Sequence, residues 1–78
     1  MTTLTQAAFH REVGRRIGKA RNDRGWTQKE LAARLGYART TVGQWEAGCC
    51  GTTLWNLHCI ARVLGVDASA LIPGSVAK

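Results

Sequence analysis

The sequence predicts an all-α protein, a compact bundle of five short helices. Three observations carry this. Apolar residues recur at helical spacing along the chain, and no strand-like alternation of four or more residues stands out. Glycines fall where each apolar rhythm stops, at Gly25, Gly36, Gly48 and Gly65. Side chains suited to capping stand where the next rhythm begins. At 78 residues the chain has the length of one domain, residues 1–78, near the lower limit for folding alone.

The first helix is expected over residues 6–24, with Phe9, Val13, Ile17 and Ala20 on one face and Gly25 ending it in a left-handed conformation. "TQKE" then reads as a capping box. The Thr27 side chain accepts from the amide of Glu30, and the Glu30 carboxylate accepts from that of Thr27. It opens a second helix with Leu31, Ala32 and Leu35 inward, stopped by Gly36. Three residues, "GYA", separate it from a third helix running from Arg39 to Ala47. Gly36 supplies the bend of this helix-turn-helix, residues 27–47. Thr53 caps a fourth helix whose expected buried face is Leu54, Leu57, Ile60, Ala61 and Leu64. Asp67 caps a fifth, "ASALI", ended by Pro73, and residues 73–78 form a loose tail.

The net charge of +6 is unevenly spread. Residues 11–39 carry nine basic side chains against three acids, so the whole excess lies in the first half. That suits a face that meets a polyanion, although a charge run by itself is as well explained by a solvated surface. No apolar run approaches a membrane helix, and the N-terminus has no secretory pattern; a cytoplasmic setting without membrane contact is expected. Cys49, Cys50 and Cys59 are odd in number, with two adjacent, so no disulfide framework is read from them. With His58 they are the right types for zinc, but no C-x₂-C spacing exists; no metal and no cofactor is expected. His10 and His58 have no convergent carboxylate or nucleophile in the pattern, so no catalytic residue is assigned and an enzyme is not expected.

The third helix divides at about 100° per residue. Thr41, Val42, Trp45 and Glu46 fall on one side, and Arg39, Thr40, Gly43, Gln44 and Ala47 on the other. The second side has no large apolar residue. Its side chains suit base edges: Arg pairs with guanine, Gln with adenine, and a Thr methyl touches thymine. Gly43 is either a tolerated surface glycine or a point of close approach.

The run "IGKARNDRGWTQKELAARLGYARTTVGQWEAG" followed by "LHCIARVLGVDASAL" resembles the Cro and phage-repressor type of helix-turn-helix regulators, the XRE family. The resemblance covers about residues 13–72. It implies a lambda-repressor-like, five-helix domain that binds double-stranded DNA sequence-specifically, usually as a homodimer on a palindromic operator. The expected function is a bacterial or phage-encoded transcriptional regulator, most simply a repressor, associated with the nucleoid. By position the resemblance assigns base reading to Arg39, Thr40 and Gln44. It assigns backbone contact or helix bracing to Gln28, and places Thr41 and Lys29 near other backbone-contacting positions. Arg15 and Lys19 of the first helix are expected to add to the phosphate contacts, and Gly43 to let the third helix lie close to the bases.

Arg21 and Glu46 match a family salt bridge between the first and third helices. A separate argument favours it, because a carboxylate at a helix C-terminus costs roughly 0.3–1 kcal/mol unless a cation answers it. The chain departs from the family at Ala38, where Ser or Thr usually caps the third helix, and at "CCGTT", where basic residues and a proline usually follow Gly48. Trp55 takes a position that is usually polar. With Cys59 it makes an i, i+4 apolar pair, either partly buried under the loop or part of a dimer interface. A second class of function stays open, an antitoxin-like interaction module that binds a protein partner as well as its own operator.

Overall fold

The computed structural model describes residues 5–49 and 52–73. Four α-helices run in the order α1 (Gln6–Asp23), α2 (Gln28–Leu35), α3 (Arg39–Ala47) and α4 (Leu54–Leu64), and a short 3₁₀-helix follows at Ala68–Leu71. There is no strand among the described residues. The expected all-α architecture holds, but the fifth element is not an α-helix. The Asp67 side chain makes no cap hydrogen bond. Ile72, held extended (φ −108°, ψ 127°) ahead of Pro73, stops the turn after four residues. The tail beyond Pro73 and Cys50 lie outside the described residues.

Local signals account for the helix ends. Thr5 caps α1 by accepting from the amide of Ala8 at 3.1 Å. The capping box of α2 is complete, with Glu30 N to Thr27 Oγ1 at 3.1 Å and Thr27 N to Glu30 Oε1 at 2.7 Å. Thr53 caps α4 by accepting from Asn56 N at 3.1 Å. Gly36 has φ +81°, a left-handed conformation that only a residue without Cβ adopts cheaply, and it turns the chain from α2 toward α3.

The core lies where α1, α2, α3 and α4 converge. Ile17, Leu31, Val42, Ile60, Leu64 and Leu71 are its most completely buried large side chains, and Trp45 closes it beneath α3. One member of the expected α4 face is not in it, for Leu54 is 82% exposed. Helical side chains lean toward the N-terminus, so the first residue of α4 reaches past the end of the bundle where no preceding turn lies beneath it.

Candidate nucleic-acid interface

The sequence rhythm of α3 becomes two physical faces. Val42 and Trp45 are buried, Thr41 and Glu46 are half-buried, and Arg39, Thr40, Gln44 and Ala47 are exposed. The N-terminus of α3 has no side-chain cap, as Ala38 implies. Its stability therefore comes from packing, since a nine-residue helix is marginal alone.

Three contacts hold it. Two glycines of α1 admit α3 at close range: a Cβ on Gly14 would collide with the Trp45 carbonyl oxygen and lie 2.6 Å from that of Glu46, and one on Gly18 would lie 3.1 Å from Glu46 Oε1. Arg21 then grips Glu46 through two bonds, Nε to Oε2 at 2.7 Å and Nη2 to Oε1 at 3.0 Å. Both side chains are nearly covered, at 13% and 12% exposure, so the pair is far less screened than a surface one. The hydrogen bond to Glu46 raises the Arg21 pKa, with burial acting against it. Arg21 also donates to the carbonyl oxygen of Trp26 at 2.6 Å, tying the α1–α2 turn to the same point. Finally, Tyr37 packs edge-on against Trp45, ring centroids 5.2 Å apart, and its hydroxyl donates to Asn56 Oδ1 of α4 at 2.7 Å.

Gln28 opens α2 beside this cluster. Its Nε2 donates to Glu46 Oε1 at 3.1 Å, and its Oε1 accepts from Arg39 Nη1 at 3.2 Å. Gly43 faces the same amide, and a Cβ there would lie 3.5 Å from Gln28 Oε1, an ordinary contact. The structure thus gathers Arg21, Glu46, Gln28, Gly43 and Arg39 into one cluster, with Thr40 and Gln44 beside it on the open face of α3. Lys29 is exposed one residue beyond Gln28.

Arg15 and Lys19 are not part of that gathering. Arg15 binds Glu12 (Nε to Oε1 3.0 Å, Nη2 to Oε2 2.8 Å) and Lys19 binds Asp23 at 3.2 Å. Both line a groove between α1 and the 3₁₀-helix, with Ala70 and Leu71 across it, whereas Gly14, Gly18 and Arg21 of α1 meet α3. Trp26 is half-buried between α1 and α2 and carries two guanidinium groups, Arg34 at 4.1 Å and Arg24 at 4.9 Å from its centroid. Sequence reasoning missed this stack and the two α1 glycines, although Gly14 and Gly18 stand four residues apart and so share one face of the helix.

Trp55 is 69% exposed, which rules out its burial under the loop. It tilts over His58 at 5.8 Å, and with Leu54, His58 and Ala68 it lines a shallow apolar depression. Cys59 is half-buried on the same helix. Among the described residues no three His, Cys, Asp or Glu side chains converge, and no helix is long and apolar enough to cross a membrane.

Fold and site together define a helix-turn-helix protein with an open polar face on its second helix. The helix-turn-helix family HTH_3 matches residues 17–54. An uncharacterized helix-turn-helix-type transcriptional regulator of Sinorhizobium fredii is 32% identical over 60 residues, covering 77% of this chain and 78% of that one. The restriction-modification controller protein C.AhdI of Aeromonas hydrophila superposes with a TM-score of 0.76 at 29% identity, over 80% of this chain and 94% of its own. The iron(II) protein HppE, solved with substrate, superposes at 0.78 and 34% identity over 82% of this chain but 37% of its own. The chain belongs to the HTH_3 helix-turn-helix family, the XRE or Cro and phage-repressor type. It spans 36% and 60% of the length of the first two curated relatives it matches.

Proposed function

We propose that the chain is a sequence-specific transcriptional regulator, acting as a repressor, that reads the major groove of double-stranded DNA through Arg39, Thr40 and Gln44. Because the same helical unit also occurs within HppE, fold likeness alone does not fix the role. The observation that carries the reading is the exposed polar face of α3, backed by a nearly buried ion pair and free of large apolar side chains. In this motif the N-terminal half of the second helix enters the groove, and that half holds Arg39 and Thr40. Lys29, Thr41 and the N-terminus of α3, which no side chain caps, would face the phosphates, and Gly43 leaves the adjoining surface low. Bacterial or phage origin, a cytoplasmic setting and association with the nucleoid belong to the same proposal, as does a role in binding and not in catalysis.

Two copies on a palindromic operator complete it. The depression formed by Leu54, Trp55, His58 and Ala68 is lined by no Lys, Arg, Asp or Glu, while the +6 excess sits in residues 11–39, so self-association there takes no such side chain of its lining out of water. Sedimentation at micromolar concentration checks this: Trp55→Asp gives a monomer if the face joins two copies, and an unchanged mass moves the interface elsewhere. The exposed Trp55 also keeps an antitoxin-like partner in view; a wild-type protein that stays monomeric favours that second reading. Selection of binding sites from random duplexes at about 150 mM salt, where purely electrostatic binding is suppressed, tests the whole proposal. It predicts a palindrome with half-sites about one helical turn apart. Recovery of no motif would overturn it.

A further inference from the structure

The ion pair behind α3 also sets a direction. A carboxylate only accepts hydrogen bonds, so the Gln28 group facing Glu46 Oε1 at 3.1 Å must be the amide nitrogen. That leaves the amide oxygen facing Arg39, whose guanidinium only donates, and it accepts from Nη1 at 3.2 Å. The row Arg21, Glu46, Gln28, Arg39 is therefore polar from end to end. Reversing the Gln28 amide would set its oxygen against the carboxylate and its N–H groups against the guanidinium, losing both bonds at once.

We propose that Glu46 is a positioning residue for base recognition: acting through Gln28, it fixes the course that the Arg39 guanidinium takes off α3. This rests on the reading of α3 as the base-contacting helix and extends it to a residue that touches no base. An unrestrained arginine on an exposed helix start samples many rotamers, and freezing them on contact weakens binding. Held through Nη1, Arg39 keeps Nε and Nη2 free for the parallel pair of bonds that recognises guanine. Glu46 suits the task because Arg21 holds both its oxygens and only 12% of its side chain is exposed.

The test measures discrimination at one base pair. Binding-site selection with wild-type protein and with Arg39→Ala identifies the position that Arg39 reads. Competition binding then compares the preferred base with the other three for Gln28→Met, which removes the amide and leaves the ion pair intact. It does the same for the double variant Arg21→Met with Glu46→Met, which removes the ion pair and leaves no orphaned charge. Gln28→Met should lose about tenfold of discrimination at the Arg39 position while preference at the Thr40 and Gln44 positions is kept, and the double variant should lose at least as much at the Arg39 position. The triple variant should lose no more there than the double variant, because the two act in series. A merely structural role would lower stability or affinity uniformly across sequences. Wild-type discrimination retained in Gln28→Met overturns the relay even if the double variant does not fold. A wild-type protein that selects no site overturns the base-reading role of α3 itself, and the relay falls with it.

Discussion

Helices α2 and α3 begin within a dozen residues of one another and are anchored in opposite ways. At the start of α2, Thr27 and Glu30 spend their side chains on each other's backbone amides. At the start of α3, Ala38 offers nothing, and among the described residues Thr40 and Gln44 make no side-chain hydrogen bond. The one engaged polar side chain on that face, Arg39, is held by α2. A helix whose task is support uses its polar groups internally. Helix α3 leaves Thr40 and Gln44 open, as the proposed contact role needs, and its stability is supplied from behind by Trp45, Glu46 and the close approach of α1.

The largest effect that can break this comparison lies behind α3. Gly14→Ala puts a methyl against two backbone carbonyls that cannot rotate away, and it should destabilise by about 3 kcal/mol. Urea unfolding measures it, and a variant as stable as wild type would contradict the supporting role of α1. Next comes Thr27→Ala, which removes the capping box and should cost about 1 kcal/mol. Ala38→Ser should act with the opposite sign, adding about 0.5 kcal/mol or more by supplying the cap that α3 lacks. Equal and negligible shifts in Tm for these two variants would erase the distinction between the two helix starts.

The smallest effect is electrostatic and lies on α1, where Glu12 is paired within its own helix. Hydrogen bonds from Arg15 and then Arg16 hold the Glu12 carboxyl down at about 2, below its ordinary 4.5. A carboxyl lowered on folding stabilises the native state above its unfolded pKa. That contribution should fade as pH falls from about 4.5 toward 2. An NMR titration of Glu12 with a midpoint near 4.5 would show that the contacts do not persist in solution.

Features written in consecutive residues were legible in the sequence. The capping box, the glycine stops and the two faces of α3 follow from local pattern, and α3 spans Arg39–Ala47 as expected. The Arg21–Glu46 pair was reached from the family resemblance and from the cost of a carboxylate at a helix C-terminus. What stayed hidden depends on neighbours distant in sequence. Gly14 and Gly18 share a helix face by spacing, but which helix lies against them shows only when α3 is in place. Leu54 fits the apolar face of α4, yet nothing packs beneath a helix's first residue. Arg15 and Lys19 counted toward a basic face, although Glu12 and Asp23 stood at pairing distance in the sequence, three and four residues away. The family resemblance pointed to bracing by Gln28, but nothing in the sequence named Arg39 as the side chain it holds.

The central claim is that the exposed polar residues of α3 each read bases. Site selection repeated with Arg39→Ala, Thr40→Ala and Gln44→Ala tests it most directly. Each variant should lose preference at its own position within the half-site and keep the others, because each substitution removes one set of contacts from an otherwise unmoved helix. If all three return the wild-type motif with undiminished preference, α3 is not the reading element, and the face that contacts DNA lies elsewhere on the molecule.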